Sequence, residues 1–339
     1  MKIDLHVHSK FSNRPSQWVL RKIGCPESFV EPTFVYKRCR ELGMDMVTLA
    51  DHNTIDGGLS IAHLPGVFLS EEITTYFPEE HCKIHVLAWN IDERIHTEIQ
   101  KYRKNIYDLV PYLRENNIMH GVAHPLYAVN DRLTLGHVEQ LLVMFSNFEC
   151  NGTRDAMQDS SLLAILELLN EEIIGELAAK HNLEPYGDRP WEKSSFGGSD
   201  DHSGLNIARI HTVAEDANDL DEFFQAMHEH KTGPGGHHSS PKTMAHNLYS
   251  IGYQFFRKKY KLGRRASMDT FLSFLDMSLM PTVHRGTRHR MGTVVAKLRS
   301  WRKDLLGGKT PTPREVPKLL RVKAENAFRT SPVFAEKAK

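Results

Sequence analysis

Histidine and carboxylate side chains recur at or just after short apolar runs in the first two thirds of the sequence. They lie in the stretches LHVH, VTLADHNT, FLSEEITT, KIHVLAW, GVAHPL and GGSDDH. Their chemically active side chains are His6, His8, Asp51, His52, Glu71, Glu72, His85, His124, Asp200 and His202. Imidazole and carboxylate groups without thiolate suit Zn²⁺, Mn²⁺ or Fe²⁺. About eight ligands exceed what one ion needs, so the set predicts two or three divalent ions.

An alternation of strands and helices is expected to position these groups. The candidate strands are Ile3–His8, Met46–Ala50, Val67–Thr75, Lys83–Trp89, Met119–Ala123, Asn147–Cys150 and Ser195–Gly198. Helical patterns lie between them, at Thr33–Leu42, Ile95–Asn116, Leu135–Phe145 and Ser160–Lys180. The alternation predicts an α/β fold with parallel strands, whose carboxyl ends gather their following loops at one face. Seven strands favour a closed or nearly closed barrel, and an open doubly wound sheet is the alternative.

The composition is that of an ordinary globular protein. The chain has 339 residues, of which 40% are hydrophobic and 25% are charged. No apolar run approaches the length of a membrane span, and the N-terminus lacks the pattern of a signal peptide. The four cysteines are scattered, which argues against a disulfide framework or a thiolate zinc site. We therefore expect a cytoplasmic protein, with attachment at the membrane periphery as a further option.

The near-neutral net charge of +1 conceals a basic C-terminal region. From residue 251 to residue 339, lysine and arginine outnumber aspartate and glutamate more than three to one. The stretch TGPGGHHSSP at 232–241 predicts a boundary, with a barrel over 1–235 and a helical extension over 236–339. FFRKKYKLGRR at 255–265 and the amphipathic SMDTFLSFLDMSLM at 267–280 are compatible with binding an anionic membrane surface or nucleic acid. The alternative is a helical extension that docks on the acidic body or on a second subunit.

Taken together, the motifs HVH, ADHNT, the Glu72 stretch, His85, AHP and GSDDH resemble the polymerase and histidinol phosphatase (PHP) family of metal-dependent phosphoesterases. The resemblance covers residues 1 to about 215 and implies a distorted seven-stranded β/α barrel with two or three divalent ions. It makes ligands of His6, His8, Glu72, His124, Asp200 and His202, with His52 and His85 completing a third site. The stretches RPS, IGCPESF and SEEITTYF are similar to PHP modules that some bacterial proteins join to glycosyltransferases.

Details of the motifs refine this ligand set. Many family members carry a ligating Asp shortly after HxH, where this chain has Asn13 in KFSNRPS. Because an amide is a poorer, neutral ligand, the ion at that place is expected to bind weakly or to be absent. The resemblance favours Glu72 over Glu71, because the family has its Glu one residue before a small hydrophobic residue and a Ser or Thr, as in EIT here. Strand alternation agrees, since it places Glu72 on the face of Ser70 and Thr74. Asp201 is at the variable middle position of DxH and is not expected to bind a metal.

These residues suggest a phosphoesterase that hydrolyses a phosphomonoester or phosphodiester by attack of a metal-bound hydroxide. Asp51 would orient His52 or shuttle a proton. Arg154 is the best candidate to bind the phosphate of a small phosphorylated molecule or nucleotide, followed by Lys10 and Arg14. The alternatives are a nuclease acting on DNA or RNA ends, an amidohydrolase-type C–N hydrolase, and a non-catalytic regulatory metal module.

Overall fold

The computed structural model describes residues 1–13, 18–154, 156–263 and 270–281. Two sheets organise this part of the chain. The larger sheet contains, in spatial order, β2 (Ser70–Phe77), β3 (Cys82–Trp89), β4 (His120–Val122), β5 (Asn147–Asn151) and β6 (Ser194–Gly198). The smaller sheet has the order β1, β7, β8, formed by Lys2–Ile3, Ile210–Val213 and Gly233–Gly236. The protein is therefore a mixed α/β fold.

The larger sheet is parallel only in its second half. β4, β5 and β6 run parallel, whereas β2 pairs antiparallel with β3, and β3 with β4. The prediction of uniformly parallel strands was wrong for β2 and β3. The physical reason is the short connection 78–81, since a parallel pair needs a crossover of a dozen or more residues. β2 and β3 form a hairpin, with Ser70 opposite Trp89 and Phe77 opposite Cys82.

Two of the seven predicted strands are largely irregular, so the described residues do not form a seven-stranded sheet. Of the first predicted strand, Ile3–His8, only Ile3 belongs to a regular strand, and of the second, Met46–Ala50, no residue does. Single contacts join these segments to their neighbours, such as the hydrogen bond from Ala50 N to Val7 O (2.9 Å) and the bridges Val7–Asp201 and His52–Glu72. The nearby Asp4 and Asp51 carboxylates accept the backbone N–H groups of Ser199 and Ser9. Such side-chain hydrogen bonds take the place of hydrogen bonds between strands.

The predicted boundary at 232–241 contains a strand instead of a plain loop. β8 pairs antiparallel with β7 across residues 233–236, and neither strand was predicted. Glycine permits the close approach, because a Cβ atom at Gly235 would lie 2.7 Å from Cγ2 of Val213. A helix begins directly afterwards at Pro241, capped by the Ser240 hydroxyl.

Helices cover the outer face of the larger sheet and the ends of the body. Their bounds are Trp18–Ile23, Pro32–Glu41, Asp56–Leu59, Glu93–Tyr102, Ile106–Glu115, Leu135–Met144, Ala156–Leu168, Glu171–His181, Leu220–His228, Pro241–Lys259 and Thr270–Leu279. The predicted helices 95–116 and 160–180 are each two helices. Asn105 and Asn170 interrupt them, because each side chain caps a new helix by accepting a backbone N–H.

The main core lies between the larger sheet and these helices. Ile73, Val86 and Phe148 of the sheet pack in one buried cluster with Leu109 and Leu141 of the helices. A second buried cluster includes Leu5, Trp89, Phe196 and Phe223. The Trp89 indole donates a 3.0 Å hydrogen bond to the Leu5 carbonyl, one residue before His6. β3 and the segment that leads to His6 are therefore held in place by this hydrogen bond and by the second buried cluster.

The C-terminal helix Pro241–Lys259 packs on the body. Ile251 is buried with Leu20 and Cys25, and the Gln254 side chain donates to the Ser203 carbonyl (2.9 Å). The helix Thr270–Leu279 joins it through an ion pair between Arg257 and Asp276. Residues 264–269, which precede this helix, and residues 282–339 lie outside the described residues. None of the helices described is both long and apolar enough to cross a membrane.

Candidate metal centre

Four buried side-chain atoms converge at one point inside the protein. Nε2 of His6 and Nε2 of His8 are 3.0 Å apart. Oε2 of Glu72 lies 3.3 Å from the first nitrogen and 3.2 Å from the second. Oδ1 of Asp200 lies 3.6 Å and 3.4 Å from the same two nitrogens. These residues were all predicted as ligands, and the structure brings them together.

Hydrogen bonds on the far side of both imidazoles define their tautomers. His6 Nδ1 donates to Oε1 of Glu149 at 2.7 Å, which leaves Nε2 with its lone pair. The Ser12 hydroxyl donates its one hydrogen to Asp51 Oδ1 at 2.7 Å. Ser12 Oγ must therefore accept from His8 Nδ1, 2.9 Å away, which again leaves Nε2 as an acceptor.

With both imidazoles neutral, the converging atoms are two nitrogen lone pairs and two carboxylate oxygens, with no hydrogen among them. Such a group is strongly unfavourable in a buried place unless a proton or a metal cation joins it. Neutral imidazole and carboxylate are the donors that divalent transition metals prefer. The residues therefore fit a divalent metal ion.

Asp200 is oriented so that one oxygen faces this point. Its Oδ2 atom accepts from Asn151 Nδ2 at 3.2 Å, Thr153 Oγ1 at 3.0 Å and Arg154 Nη2 at 3.4 Å. Oδ1 remains directed at the histidines. Asp200 has a φ of 47° and His124 a φ of 30°, the left-handed region that non-glycine residues seldom adopt. Strained backbone of this kind concentrates at functional sites.

Glu72 links a second histidine group to the first. Its Oε1 atom lies 2.6 Å from Nδ1 of His85 and 3.2 Å from Nε2 of His124, and its Oε2 atom lies 2.9 Å from Nδ1 of His52. His52, Glu72 and His85 form one set of side chains that could hold a metal ion. Because its two oxygens face different histidines, Glu72 is shared by two groups of candidate ligands.

A third set comprises His8, His52 and His202. The rings of His8 and His202 stack with their centroids 3.8 Å apart. His202 Nδ1 donates to the Asp200 backbone carbonyl at 3.1 Å, which leaves its Nε2 as an acceptor. All eight predicted ligands therefore lie in one cluster, which offers three overlapping sets.

Electrostatics in the cluster follow from the close opposite charges. Burial opposes ionisation of Glu72, yet His52, His85 and His6 hold its pKa well below the usual range. Burial likewise opposes the charge on His6, but Glu149, Glu72 and Asp200 raise the pKa of this imidazole. Burial dominates for two other histidines, lowering the pKa of His85 to about 4 and of His202 to about 3. Neutral imidazoles are the form that binds metals.

Asp51 does not contact the His52 side chain that it was expected to orient. Its carboxylate accepts from the N–H and hydroxyl of Ser9 and from the hydroxyl of Ser12. Ser12 in turn contacts His8, so Asp51 positions His8 from a distance. Asp201 accepts from Ser203 and lies off the metal-binding face, as its place in DxH implied.

Arg154 and Lys10, two of the residues predicted to bind phosphate, lie in different surroundings. Arg154 lines the cavity, and its guanidinium lies 3.7 Å over the Tyr127 ring. Lys10 instead forms a 2.7 Å ion pair with Glu31 at the surface. Arg14 lies outside the described residues. Asn13 stands where many family members carry a ligating Asp. Its side chain is exposed, whereas the candidate ligands of the cluster are buried or partly buried.

The cavity has a polar floor and an apolar wall. The floor is the metal-binding cluster with Arg154. The wall is made by Leu20, Val129, Met244, Leu248 and Ile251. Three of these belong to the C-terminal helix Pro241–Lys259, so a segment assigned to the extension by the sequence shapes the site.

Sequence reasoning missed three residues of this site. Glu149 supports His6 and also accepts the His124 backbone N–H at 2.8 Å. Ser12 links Asp51 to His8. Glu27 lies 3.3 Å from His52 Nε2, although its loop is remote from the metal motifs. Glu149 lies two residues before Asn151, so strand alternation places both side chains on the same face of β5. This alternation was the indication in the sequence that Glu149 faces the site. Nothing in the spacing pointed to Glu27.

Comparisons with known proteins return distant likenesses. No family model matches the sequence. An uncharacterised protein of Methanocaldococcus jannaschii is 38% identical over 68 residues, which are 20% of this chain and 38% of that protein. The chain therefore matches well under half the length of this relative, and the match assigns no function.

Solved structures give low similarity scores. PsfC from Pseudomonas syringae has a TM-score of 0.42 at 13% identity, covering 74% of this chain and 97% of PsfC. A candidate metal-dependent phosphoesterase from Bifidobacterium adolescentis has a TM-score of 0.40 at 15% identity, covering 66% of this chain and 94% of that protein. The lesion-specific endonuclease EndoQ from Pyrococcus furiosus has a TM-score of 0.37 at 14% identity, covering 67% of this chain and 55% of EndoQ. At these values the likenesses assign neither family nor activity to this chain.

Proposed function

We propose that the chain is a metal-dependent phosphoesterase whose catalytic centre is the histidine–carboxylate cluster around Glu72. The observation that carries the proposal is the convergence of four atoms that can bind a metal ion, His6 Nε2, His8 Nε2, Glu72 Oε2 and Asp200 Oδ1, at one buried point. We further propose that the two sheets and the segments between them form a distorted relative of the seven-stranded PHP barrel, as the motif resemblance implied.

The residues divide into ion-holding groups that share Glu72. His6, His8, Asp200 and Glu72 would hold one ion, and His52, His85, His124 and Glu72 another. When bound, divalent ions polarise a phosphoryl oxygen and lower the pKa of water, which makes hydroxide available near neutral pH. Glu149 holds the Nδ1 hydrogen of His6, and Asp51 through Ser12 holds that of His8, so that Nε2 of each ring is the nitrogen that would face an ion.

Arg154 would bind the phosphate group itself. Its guanidinium lies in the cavity beside Asp200, and stacking on Tyr127 restrains it. A guanidinium presents a fork of N–H donors that suits phosphate oxygens. The apolar wall faces this polar floor, so the part of the substrate remote from the phosphate would be an apolar or aromatic group.

Phosphate release from a substrate panel tests the proposal. The full chain is loaded with Mn²⁺, Zn²⁺ or Fe²⁺ and given aryl phosphates, sugar phosphates, mononucleotides, short oligonucleotides, amides and lactones. We expect hydrolysis of phosphate esters, fastest for aryl or similarly apolar esters. Turnover of amides or lactones alone would overturn it in favour of C–N or lactone chemistry.

Arg154→Met gives a sharper readout with Lys10→Met as its matched control. Loss of a charged hydrogen-bond donor costs about 1.5–3 kcal/mol, so we expect roughly a 10- to 100-fold fall in kcat/KM for Arg154→Met. Lys10→Met should match the wild type, since Lys10 pairs with Glu31 outside the cavity. Equal activities for the two variants would remove Arg154 from the mechanism.

A further inference from the structure

We propose that Glu27 is a metal ligand of this cluster and supplies the carboxylate that Asn13 does not. The inference rests on the proposed metal centre and adds a residue to it. Glu27 lies in the loop between the first two helices, in the stretch CPESF, and is 4% exposed. A buried carboxylate almost always has a charged or metal partner.

The loop directs Glu27 into the cavity from both of its ends. On one side, Cys25 is buried with Leu20 and Ile251 in a small apolar cluster. On the other side, the Val30 carbonyl accepts a 2.8 Å hydrogen bond from Lys10 N, just after the HxH segment. Glu27 is one of the residues that line the cavity between these anchors.

Both oxygens of Glu27 face imidazole nitrogens of the cluster. Oε2 lies 3.3 Å from Nε2 of His52, and Oε1 lies 3.8 Å from Nε2 of His202. His202 donates through Nδ1 to the Asp200 carbonyl, so its Nε2 is an acceptor like the carboxylate that faces it. Two acceptors set opposite each other in a buried place call for a cation, as in the group around His6 and His8.

Asn13 is the alternative source of an oxygen ligand, and its placement disfavours it. Its side chain is exposed, whereas the neighbouring Ser12 is buried and committed to Asp51 and His8. Glu27 also restores the negative charge that an amide lacks. The set of His52, His202 and Glu27 therefore gives a third ion two imidazoles and one carboxylate, a donor set that suits transition metals.

Metal titration of Glu27→Gln tests the inference, with Glu31→Gln as matched control. Glu31 lies in the same loop region, but its side chain is 59% exposed in a surface ion pair. Each protein is stripped, reloaded with Zn²⁺ or Mn²⁺, counted by plasma mass spectrometry and titrated by calorimetry. We expect Glu27→Gln to bind one ion fewer, or that ion at least about 100-fold more weakly, and Glu31→Gln to match the wild type.

Two further readouts guard against a folding defect. Circular dichroism of the stripped proteins verifies that Glu27→Gln folds, and Glu27→Asp keeps the charge should Glu27→Gln not fold. We expect Glu27→Asp to bind the full number of ions with reduced affinity, and the visible spectrum of the Co²⁺-loaded protein to change in either variant. Unchanged stoichiometry, affinity and Co²⁺ spectrum in Glu27→Gln, or in Glu27→Asp if that variant must replace it, would overturn the ligand role alone. A wild type that binds these ions without hydrolysing phosphate esters would overturn the phosphoesterase proposal alone.

Discussion

Glu71 and Glu72 are neighbours on β2 and point to opposite faces of the strand. Both are 0% exposed, so burial does not distinguish them. The oxygens of Glu72 lie within 3.3 Å of five imidazoles, those of His6, His8, His52, His85 and His124. Glu71 contacts a single imidazole, His96 (3.0 Å), and the amide of Gln100 (3.2 Å).

The two carboxyl groups consequently behave in opposite ways. Burial raises the pKa of Glu71, and the hydrogen bond to His96 only partly offsets it. Burial acts equally on Glu72, but the surrounding imidazoles hold its pKa well below the usual range. The comparison teaches that the number of converging partners, rather than burial, marks Glu72 as the functional carboxylate.

The largest effect is expected from Glu72→Gln, which removes the charge shared by two histidine groups. Loss of a residue that only supports a ligand costs about 10- to 100-fold in metal affinity, and loss of a bridging ligand should exceed that range. Calorimetric titration with Zn²⁺ and phosphate release measure the two consequences. Affinity within about threefold of the wild type would contradict the bridging role.

A smaller loss is expected from Glu149→Gln, which leaves every ligand in place. Glu149 accepts from His6 Nδ1 and thereby fixes its tautomer. An amide can still accept this hydrogen bond, but without the negative charge that raises the basicity of the ring. We expect metal affinity to fall about 10-fold to 100-fold. A loss as large as that of Glu72→Gln would place Glu149 among the ligands themselves.

Asp51→Asn should have a weaker effect, because Asp51 acts on His8 through Ser12. The expected loss of metal affinity is about 10-fold, at the low end for supporting residues. Ser12→Ala should reproduce it, since either change breaks the same chain of hydrogen bonds. A collapse of kcat with unchanged metal affinity would instead support the proton-shuttle role that the sequence suggested.

Glu71→Gln should leave metal affinity unchanged and alter only how stability depends on pH. The raised pKa of Glu71 means that the folded chain keeps a proton above the ordinary value of 4.5, so stability falls as pH rises there. The pKa of His96 is raised by the hydrogen bond to Glu71, so its stabilising contribution is lost as pH rises above the ordinary 6.5. Glu71→Gln removes both of these contributions to the pH dependence of stability.

Denaturant unfolding from about pH 5 to about pH 8 measures this difference. Wild-type stability should fall more steeply with pH than that of Glu71→Gln. Glu93→Gln, an exposed change on the same helix as His96, should keep the wild-type slope. A Glu71→Gln variant with impaired metal binding would break the distinction between the two faces of β2.

The side chains that converge in the cluster were predictable because their type and order along the chain can be seen in the sequence itself. The family pattern in EIT favoured Glu72 over Glu71 and strand alternation agreed with it, and the two side chains do lie on opposite faces of β2. The irregular segments were not predictable, because side chains such as Asp4 and Asp51 take backbone N–H groups only once distant loops have met them. Glu27 and the wall residue Met244 likewise reach the site only through tertiary packing.

Anomalous X-ray diffraction from crystals loaded with Mn²⁺ or Zn²⁺ tests the central claim most directly. We expect one anomalous peak among His6, His8, Glu72 and Asp200, and a second beside His52, His85 and Glu72. Absence of a peak at Glu72, or metal bound only on the protein surface, would contradict the account.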